Sequence, residues 1–458
     1  MTVREYKQQF KGEISVFLSL MSIIIISFII AILDSAVIKT YGNKSKIDAE
    51  AAVFSLFGEF QDELFDDYLI FAVDASYGKG VYTEKCIEDK LRYFGTGNME
   101  HYIDGIQLIT DENCAAFRSQ AIKYISGPLY DNNIAGFENN TSKWEELLKK
   151  GEEALNKDKE YDELIDDLKG SYTPESEDED NIFEVLEDSK KSSLLDDIFP
   201  DNSQISDRKI NKNQLLSRRE LRKGRGVVYD TSKLYSSASD IAFNEYVLTK
   251  FKNILDADLE DPGLVYEVEY ILNGEDSDKV NLEKTAEKIL ALRILPNYTY
   301  IKSSSAKLAE IEALSLAITV VIENPELMDL VKEVICWAWA YTESKCDVAA
   351  LLAGLKVPDI KTEDTWHSGL YDCFTGNVTY NFNECQQGLD YKDHLRILLF
   401  ADKQEKKTLY CADMAEFNIC SKRPEFKMDN CFVRLKVINN AELLKGFTYT
   451  FPVEFGYD

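Results

Sequence analysis

Residues 14–33 read ISVFLSLMSIIIISFIIAIL, an apolar run without a charged side chain. A helix rises about 1.5 Å per residue, so about 20 such residues cross the hydrocarbon core of a bilayer. Arg4, Lys7 and Lys11 precede the run, and Asp34 closes it. By the positive-inside rule, the N-terminus stays in the cytoplasm and the chain beyond Asp34 lies outside the cell. The sequence therefore predicts a single-pass protein of the cell membrane with an extracellular C-terminal part.

Two other interpretations of the apolar run fit less well. A cleaved secretory signal has an apolar core of about 7–15 residues, followed by a cleavage site of small residues. The run is longer than that, and no such site follows it. A buried helix of a soluble protein would carry a polar face, which the four isoleucines Ile23–Ile26 do not leave room for. We therefore expect a retained membrane anchor.

Composition restricts the class of partner. The chain has 458 residues, enough for two or three domains, and 52 basic against 81 acidic residues give a net charge of −29. Nucleic-acid binding needs a basic surface, so no nucleic-acid partner is expected. The three histidines are far apart, and no phosphate-binding loop, nucleophile elbow or zinc-binding motif occurs. The sequence predicts no enzyme, catalytic residue, cofactor, metal ligand or small-molecule substrate.

The nine cysteines all follow the apolar run, where an extracellular location would permit disulfides. Five of them lie close together in sequence and form a candidate disulfide cluster: Cys373, Cys385, Cys411, Cys420 and Cys431. An odd total leaves at least one thiol unpaired within a chain. Buried free thiols remain an equal alternative, because cysteine also packs as a small apolar side chain.

Changes in composition divide the chain. The acidic run 175–180 and a basic patch between residues 208 and 225 indicate a charged, flexible linker. The predicted divisions are a cytoplasmic leader (1–13), a transmembrane helix (14–38), the first part of an ectodomain (39–142), the linker (143–225) and the second part of the ectodomain (226–458).

Periodicity predicts an α+β fold. The anchor continues as an amphipathic helix to about Leu64, and its stripe of Phe54, Phe57 and Phe60 is expected to be buried in a mixed ectodomain. Residues 327–355 favour a buried helix rather than a second span, since they carry six charged residues. Alternating patterns predict a strand over Val265–Leu272 and two antiparallel strands in the C-terminal region, Cys431–Val437 and Phe447–Phe455, with Pro452 at a sheet edge.

Several stretches together resemble the domain of unknown function 5702 family, whose members are membrane-anchored proteins of Firmicutes. The pieces that carry the resemblance run nearly end to end and skip only the linker: 11–18, 34–36, 68–78, 243–246, 266–274 with Asp278 and 281–282, 356–358 and 391–396. The resemblance implies a product of loci for Tad-type (tight adherence) type IV pili, and hence a role in a pilus or secretion assembly.

The N-terminus also resembles a pilin or pseudopilin, with a short basic leader, Gly12 and one long apolar helix. In pilins the leader is removed after such a glycine, which marks Gly12 and Glu13 as the candidate processing site. Pilin-like sequences carry Glu five residues after the glycine, where this chain has Phe17. An amine freed at Glu13 would lack that carboxylate partner in a low-dielectric filament core. We therefore expect the anchor to remain uncleaved.

The function expected from these features is non-enzymatic. The chain is interpreted as a pseudopilin-like or accessory component of a Tad-like type IV pilus or secretion assembly. Its partners would be the membrane and pilin-like subunits. A stand-alone surface adhesin or sensor is the alternative, and a membrane-bound extracellular hydrolase is the third interpretation.

Overall fold

The structure is a computed structural model, and it describes residues 3–127, 140–171, 181–191, 193–199, 205–227, 231–232, 234–259, 263–375, 385, 387–402 and 406–457. The helices are α1 (Val3–Phe57), α2 (Asp62–Tyr68), α3 (Glu84–Leu91), α4 (Asp111–Ser126), α5 (Thr141–Ser171), α6 (Ile182–Lys191), α7 (Leu194–Ile198), α8 (Ser237–Lys250), α9 (Glu267–Asn273), α10 (Asp278–Ser303), α11 (Ser305–Val321), α12 (Met328–Leu352), α13 (Asp372–Thr375), α14 (Tyr391–Ala401) and α15 (Lys407–Lys422). The strands are β1 (Val73–Asp74), β2 (Met99–Leu108), β3 (Cys431–Glu442) and β4 (Thr448–Gly456). Many helices beside one antiparallel sheet confirm the predicted α+β class.

The first helix, α1, contains the whole apolar run and continues without a break to Phe57. This confirms the predicted long N-terminal helix. The helix ends at Phe57 rather than at Leu64, because Gly58, a poor helix former, follows. The chain then restarts as α2, where the side chain of Gln61 accepts a hydrogen bond from the backbone N–H of Leu64 and caps the new helix.

The aromatic stripe of α1 is only partly buried. Phe57 is 3% exposed, and its ring lies 5.5 Å from that of Phe432 and 4.9 Å from that of Phe455, both in the sheet. Phe60 is half-buried. Phe54 is 65% exposed, so the prediction that it is buried is wrong. It lies on the flank of the helix and keeps only an edge contact with Phe455, at 5.5 Å between ring centroids.

The sheet is centred on β3, which pairs antiparallel with β2 on one side and with β4 on the other. Val437 of β3 lies opposite Ile103 of β2 and Val453 of β4. The two predicted C-terminal strands are thereby confirmed. Among the described strands β4 pairs with β3 alone, so Pro452 lies on an edge strand as predicted, where its missing N–H costs no ladder hydrogen bond.

Two helical cores complete the described fold. One is built by α4, α8, α9, α14 and α15 around large aromatic side chains such as Phe117 and Tyr246. The other joins α5 and α6 to α10, α11 and α12 around Trp339. α1 instead contributes to a separate core against the sheet. The side chains of the sheet that contact α1 therefore differ from those that contact the helical cores.

The predicted strand over Val265–Leu272 is wrong, because most of this stretch forms helix α9. Its alternating carboxylates do not face water. Glu267 and Glu269 are both buried and accept hydrogen bonds from the backbone N–H groups of Lys252 (2.7 Å) and Ile254 (3.1 Å). The pattern resembled an amphipathic strand, but it arose from acidic side chains that bind the preceding loop.

The interpretation of residues 143–225 as a flexible linker is wrong wherever the structure describes them. The basic patch finds acidic partners in the folded domain: one guanidinium nitrogen of Arg219 lies 2.8 Å from both Glu416 and Asp429. The acidic run 175–180 lies outside the described residues, and the other predicted boundaries stay predictions. Helices α5, α6 and α7 bury apolar side chains, namely Ile165, Leu168, Phe183, Leu186, Leu194 and Leu195.

Candidate functional site

The apolar run of α1 is a candidate membrane span. It is the one helix, in the part of the chain that the structure describes, that is long and apolar enough to cross a bilayer. None of its apolar window is buried against the rest of the chain. Side chains such as Ile26 and Leu33 are more than half exposed, which is costly in water and favourable in hydrocarbon.

Beyond the apolar run, α1 packs on the sheet. Small and aliphatic residues line its inner side and are at most 3% exposed: Ala49, Ala52, Val53, Leu56 and Phe57. Contact begins near Gly42, where an added Cβ would lie 3.5 Å from the ring of Tyr449 in β4. The same rigid helix therefore carries the apolar run and one wall of the sheet's hydrophobic core.

The side of this segment opposite the sheet, here called the outer face of α1, carries two uncovered apolar side chains. They are Ile47 (64% exposed) and Phe54 (65%), both beyond Asp34. Ile47 and Phe54 are seven residues apart, or about two helical turns, and so lie on the same side of the helix. An apolar helix face outside the lipid length is typical of a surface that packs against a partner.

The candidate processing site lies far from the folded part. Gly12 is within α1, and an added Cβ there would have no neighbouring atom within 4 Å. Glu13 is exposed beside it. The structure brings neither residue to any other candidate site, and processing at this position stays a prediction.

The predicted disulfide cluster is not formed, and all nine cysteines, each within the described residues, are free thiols. Cys411 and Cys420 share helix α15 and are separated by about 13 Å of helical rise, whereas a disulfide joins Cα atoms about 4–7 Å apart. Cys373 lies in a different core, and Cys431 begins β3. Burial raises the pKa of Cys411, which keeps it a neutral, packed thiol.

Three groups able to bind a metal meet between α12 and the loop that follows it. Ligand atoms of Glu343, Asp347 and His367 lie within 4.8 Å of one another. The ammonium of Lys361 lies 2.6 Å from a carboxylate oxygen of Glu343 and 2.6 Å from one of Asp347. Arg293 donates a further hydrogen bond to Asp347 at 2.9 Å. Two cations thus already occupy the positions around both carboxylates, and a bound metal ion does not fit this arrangement.

This buried ion cluster is electrostatically satisfied. The side chains of Glu343, Asp347 and Lys361 have no exposed surface. Burial alone would raise the pKa of Asp347, but Arg293 and Lys361 together lower it to about 2. Burial likewise opposes the charge on Lys361, while Asp347 and Glu343 raise its pKa. Asp347 and Lys361 therefore stay charged at neutral pH, and the hydrogen bond from Arg293 to Asp347 joins α10 to α12.

Glu269 of α9 is a buried carboxylate whose hydrogen-bond partners, within the described residues, are neutral. Its Oε1 accepts hydrogen bonds from the hydroxyl of Tyr391 (2.8 Å) and the backbone N–H of Ile254 (3.1 Å), and its Oε2 accepts none. Burial raises the pKa of this carboxyl to about 7. Glu269 is therefore a site at which the charge of the core changes near neutral pH.

Replacing this carboxyl by an amide gives a pH-dependent gain in stability. In Glu269→Gln the amide oxygen keeps both hydrogen bonds and the group cannot ionise. Between pH 4.5 and about 7 the folded wild type binds a proton that the unfolded chain has lost, so wild-type stability falls relative to the variant across this window. The rise from 4.5 to about 7, at about 1.4 kcal/mol per unit, corresponds to about 3 kcal/mol.

Urea unfolding of both proteins from pH 4 to pH 8, about the limits of that window, measures this difference. Glu310→Gln, at an exposed position on α11, is the matched control and should shift stability by less than about 0.5 kcal/mol at every pH. A constant difference between Glu269→Gln and wild type across the range would mean that Glu269 ionises in the folded chain as it does in water.

A cavity of about 690 Å³ lies where α4, α8, α14 and α15 meet. Two nearly buried cations line it, Arg118 of α4 (4% exposed) and Lys407 of α15 (5% exposed). Arg118 donates hydrogen bonds to the carbonyl of Leu234 (2.9 Å) and to Asp240, and its guanidinium lies 4.3 Å from the ring centroid of Phe243. A cavity of this size is within the range of small-molecule sites.

Sequence analysis missed these groups for different reasons. The ion cluster had a signal, since Glu343 and Asp347 are one turn apart in a helix otherwise apolar enough to be buried. Buried carboxylates need cationic partners, so the sequence implies that some lysine or arginine lies beside them. No local pattern identifies Arg293 and Lys361 as those partners. The cavity had no such signal, because Arg118 and Lys407 are almost three hundred residues apart and neither belongs to a motif.

No curated protein and no solved structure matches this chain. A family model, described as a family of unknown function (DUF5702), matches residues 172–443, which is more than half of the chain. The matched region includes the ion cluster, Lys407 and strand β3, and leaves out α1 and β2. This agrees with the predicted resemblance, and the chain belongs to the DUF5702 family of unknown function.

Proposed function

We propose that this chain is a single-pass membrane protein that acts, without enzymatic activity, as a subunit of a multi-subunit surface assembly, in the manner of a pilin-like component of a Tad-like type IV pilus. The leader would lie in the cytoplasm and the folded part outside the cell. The observation that carries the proposal is the outer face of α1, which is apolar and uncovered beyond the length that lipid can cover.

The dimensions of α1 support an anchor held close to the membrane. Residues 14–33 span about 30 Å as a helix, which is about the thickness of a hydrocarbon core. Only about eight residues, or about 12 Å of helix, separate Asp34 from Gly42, where α1 reaches the sheet. Three basic residues lie in the ten positions before the run and one, Lys39, in the ten positions after it, which favours a cytoplasmic N-terminus.

An anchor that served only to tether a domain would need no apolar surface outside the lipid. The outer face of α1 instead carries the uncovered side chains of Ile47 and Phe54 beyond the apolar run. A neighbouring helix of the same kind would bury both parts along one line, first in the membrane and then beyond it. Hydrophobic burial on the outer part would drive this association, since it takes place in water.

The absence of a free catalytic group at the ion cluster agrees with a non-enzymatic role. Glu343 and Asp347 are each paired with a buried cation and are therefore poor candidates for proton transfer to a substrate.

The proposal keeps the leader attached, because Phe17 replaces the carboxylate that a freed amine at Glu13 would need. The intact mass of the membrane-extracted protein shows whether the leader is still present. A mass that corresponds to a chain beginning at Glu13 would contradict the prediction that the leader is retained.

Photo-crosslinking in the native membrane tests the assembly role. Benzoylphenylalanine is placed in the full chain at Ile47 or Phe54, and the control position is Lys46, an exposed polar residue about a quarter turn away from both around the same helix. We expect adducts of defined mass from both apolar positions, which mass spectrometry assigns to a second copy or to another protein with an N-terminal apolar helix. No adduct from either position, or the same adducts from Lys46, would contradict the proposal and leave a stand-alone tethered domain.

A further inference from the structure

The cavity between α4, α8, α14 and α15 contains a buried cation, Lys407, whose hydrogen-bond partners among the described residues are neutral. Lys407 donates hydrogen bonds to the backbone carbonyl of Leu399 (2.6 Å) and to the amide oxygen of Asn244 (3.1 Å). Both acceptors are neutral, and within the described residues no carboxylate oxygen lies at ion-pair distance from its ammonium. Burial lowers the pKa of Lys407 to about 8, although Asp402 partly offsets that effect. An ammonium has three donors, so one remains for a bound group.

Neighbouring groups extend this cationic end of the cavity. Thr408, 2% exposed, lines the cavity beside Lys407, and its hydroxyl accepts a hydrogen bond of 3.5 Å from Arg118. Arg118 is itself held by Asp240 and by the carbonyl of Leu234, so it contributes a fixed positive group to the wall. A carboxylate is the ligand group that an ammonium, a hydroxyl and a guanidinium bind best.

Backbone strain occurs at another wall of the same cavity. Glu112, Asn113 and Cys114 adopt φ of 52°, 57° and 63°, a left-handed turn that L-residues other than glycine rarely adopt. Asp111 holds the turn in place, because its two carboxylate oxygens accept hydrogen bonds from the backbone N–H groups of Leu108 (2.8 Å) and Gly224 (2.9 Å). The turn places exposed Glu112 and Asn113 at the cavity, and strain of this kind concentrates at ligand sites.

The acidic side chains of the cavity are more exposed than its cations. Glu112 and Glu145 are exposed, and Asp402, which lies close enough to Lys407 to affect its pKa, is partly exposed, whereas both cations are buried. Leu399 and Phe400 supply an apolar wall. A ligand that matches this pattern carries a carboxylate for the buried end, an ammonium for the acidic part and an apolar side chain.

We propose that this cavity binds a free amino acid with an apolar side chain, or an amphoteric molecule of the same chemistry, with its carboxylate at Lys407 and Thr408 and its ammonium at the acidic rim. The inference goes beyond the proposed assembly role and does not depend on it. A surface subunit with such a site would respond to small solutes on the outer side of the membrane.

Binding of L-leucine to the full chain in detergent micelles tests the proposal, with calorimetry and ligand-observed NMR as readouts. N-acetyl-L-leucine removes the ammonium, and L-leucinamide removes the carboxylate. We expect leucine to bind with a dissociation constant below about 1 mM, and each derivative to bind at least about tenfold more weakly. Equal binding of all three compounds, or no leucine binding up to that concentration, would overturn the proposal.

A pair of neighbouring lysines supplies matched variants. Lys407→Met removes the buried ammonium at nearly constant volume, and Lys406→Met removes an exposed one next to it. Leucine binding should fall at least about tenfold in the first variant and stay within about twofold of wild type in the second, a factor of ten being about 1.4 kcal/mol. Equal affinity in both variants would contradict the assignment.

A labelling experiment on the wild-type chain covers the case in which Lys407→Met does not fold. Reductive methylation with formaldehyde and cyanoborohydride at about pH 7.5, just below the lowered pKa of Lys407, should modify the fraction that is a free amine while leaving most of the group as the ammonium that binds leucine, as mass spectrometry of the peptides shows. Leucine should protect Lys407 and leave Lys406 reactive, whereas leucinamide should protect neither. An unreactive Lys407, or a reactive Lys407 that leucine does not protect, would overturn the proposal.

Discussion

Replacing Lys361 by methionine should destabilise the protein by about 3–5 kcal/mol. Its ammonium lies 2.6 Å from both Glu343 and Asp347, and the side chains of all three residues are fully buried. Methionine fills a similar volume but leaves two carboxylates with only Arg293 as a cationic partner. Removing one partner from a buried ion pair costs about this much, because the remaining charge cannot be solvated. Urea unfolding followed by fluorescence of the nearby tryptophans measures the loss.

Lys356→Met is the control for this prediction, because Lys356 is an exposed lysine on the same connection and its loss should change stability by less than about 0.5 kcal/mol. The difference between the two variants should persist at about 1 M salt, since buried pairs are weakly screened. A chelator in the buffer keeps divalent cations out of the emptied site. A loss below about 1 kcal/mol for Lys361→Met would mean that the carboxylates are neutral or reach water.

Phe57→Ala should cost about 3–5 kcal/mol, the range for removing a large buried aromatic side chain. The ring is 3% exposed and contacts three others in an edge-to-face manner, with centroids 5.5 Å from Phe432, 4.9 Å from Phe455 and 5.0 Å from Tyr457. The substitution therefore empties a position that joins α1 to the sheet. The same urea titration, in micelles that cover the apolar run, gives the free energy of unfolding.

Phe54→Ala provides the contrast, since this ring is 65% exposed and belongs to the outer face of α1. Its loss should change the stability of the isolated chain by less than about 1 kcal/mol, as at other surface positions. If Phe54→Ala proved as damaging as Phe57→Ala, both rings would be buried in the fold. The outer face would then be unavailable to a partner.

Features that depend on neighbouring residues were predictable from the sequence. The apolar run predicted α1, and strict alternation in the C-terminal region predicted β3 and β4. Each of these patterns depends only on which sides of a single helix or strand are exposed to water. The end of α1 was less predictable, because Gly58 interrupts a pattern that α2 resumes. Burial of Phe54 could not be decided from periodicity, which gives the apolar side of a helix but not how wide its contact with the sheet is.

Features that depend on distant residues were not predictable. Arg219 reads as part of a solvated basic patch until Glu416 and Asp429 are placed beside it. The local alternation of polar and apolar residues places Glu267 and Glu269 on the polar side of a strand. It contains no information about the loop whose N–H groups they bind. The cavity assembles from four helices, and only the fold brings Arg118 and Lys407 to its walls.

Protease treatment of intact cells tests the central claim, that α1 anchors a folded domain on the outer side of the membrane. The full chain carries a short epitope at each end and is probed before and after lysis, with a cytoplasmic protein as the control for leakage. We predict that protease added to intact cells or spheroplasts removes the C-terminal epitope and leaves the N-terminal one in a small membrane-bound fragment. A C-terminal epitope that stays protected until the cells are lysed would contradict this topology.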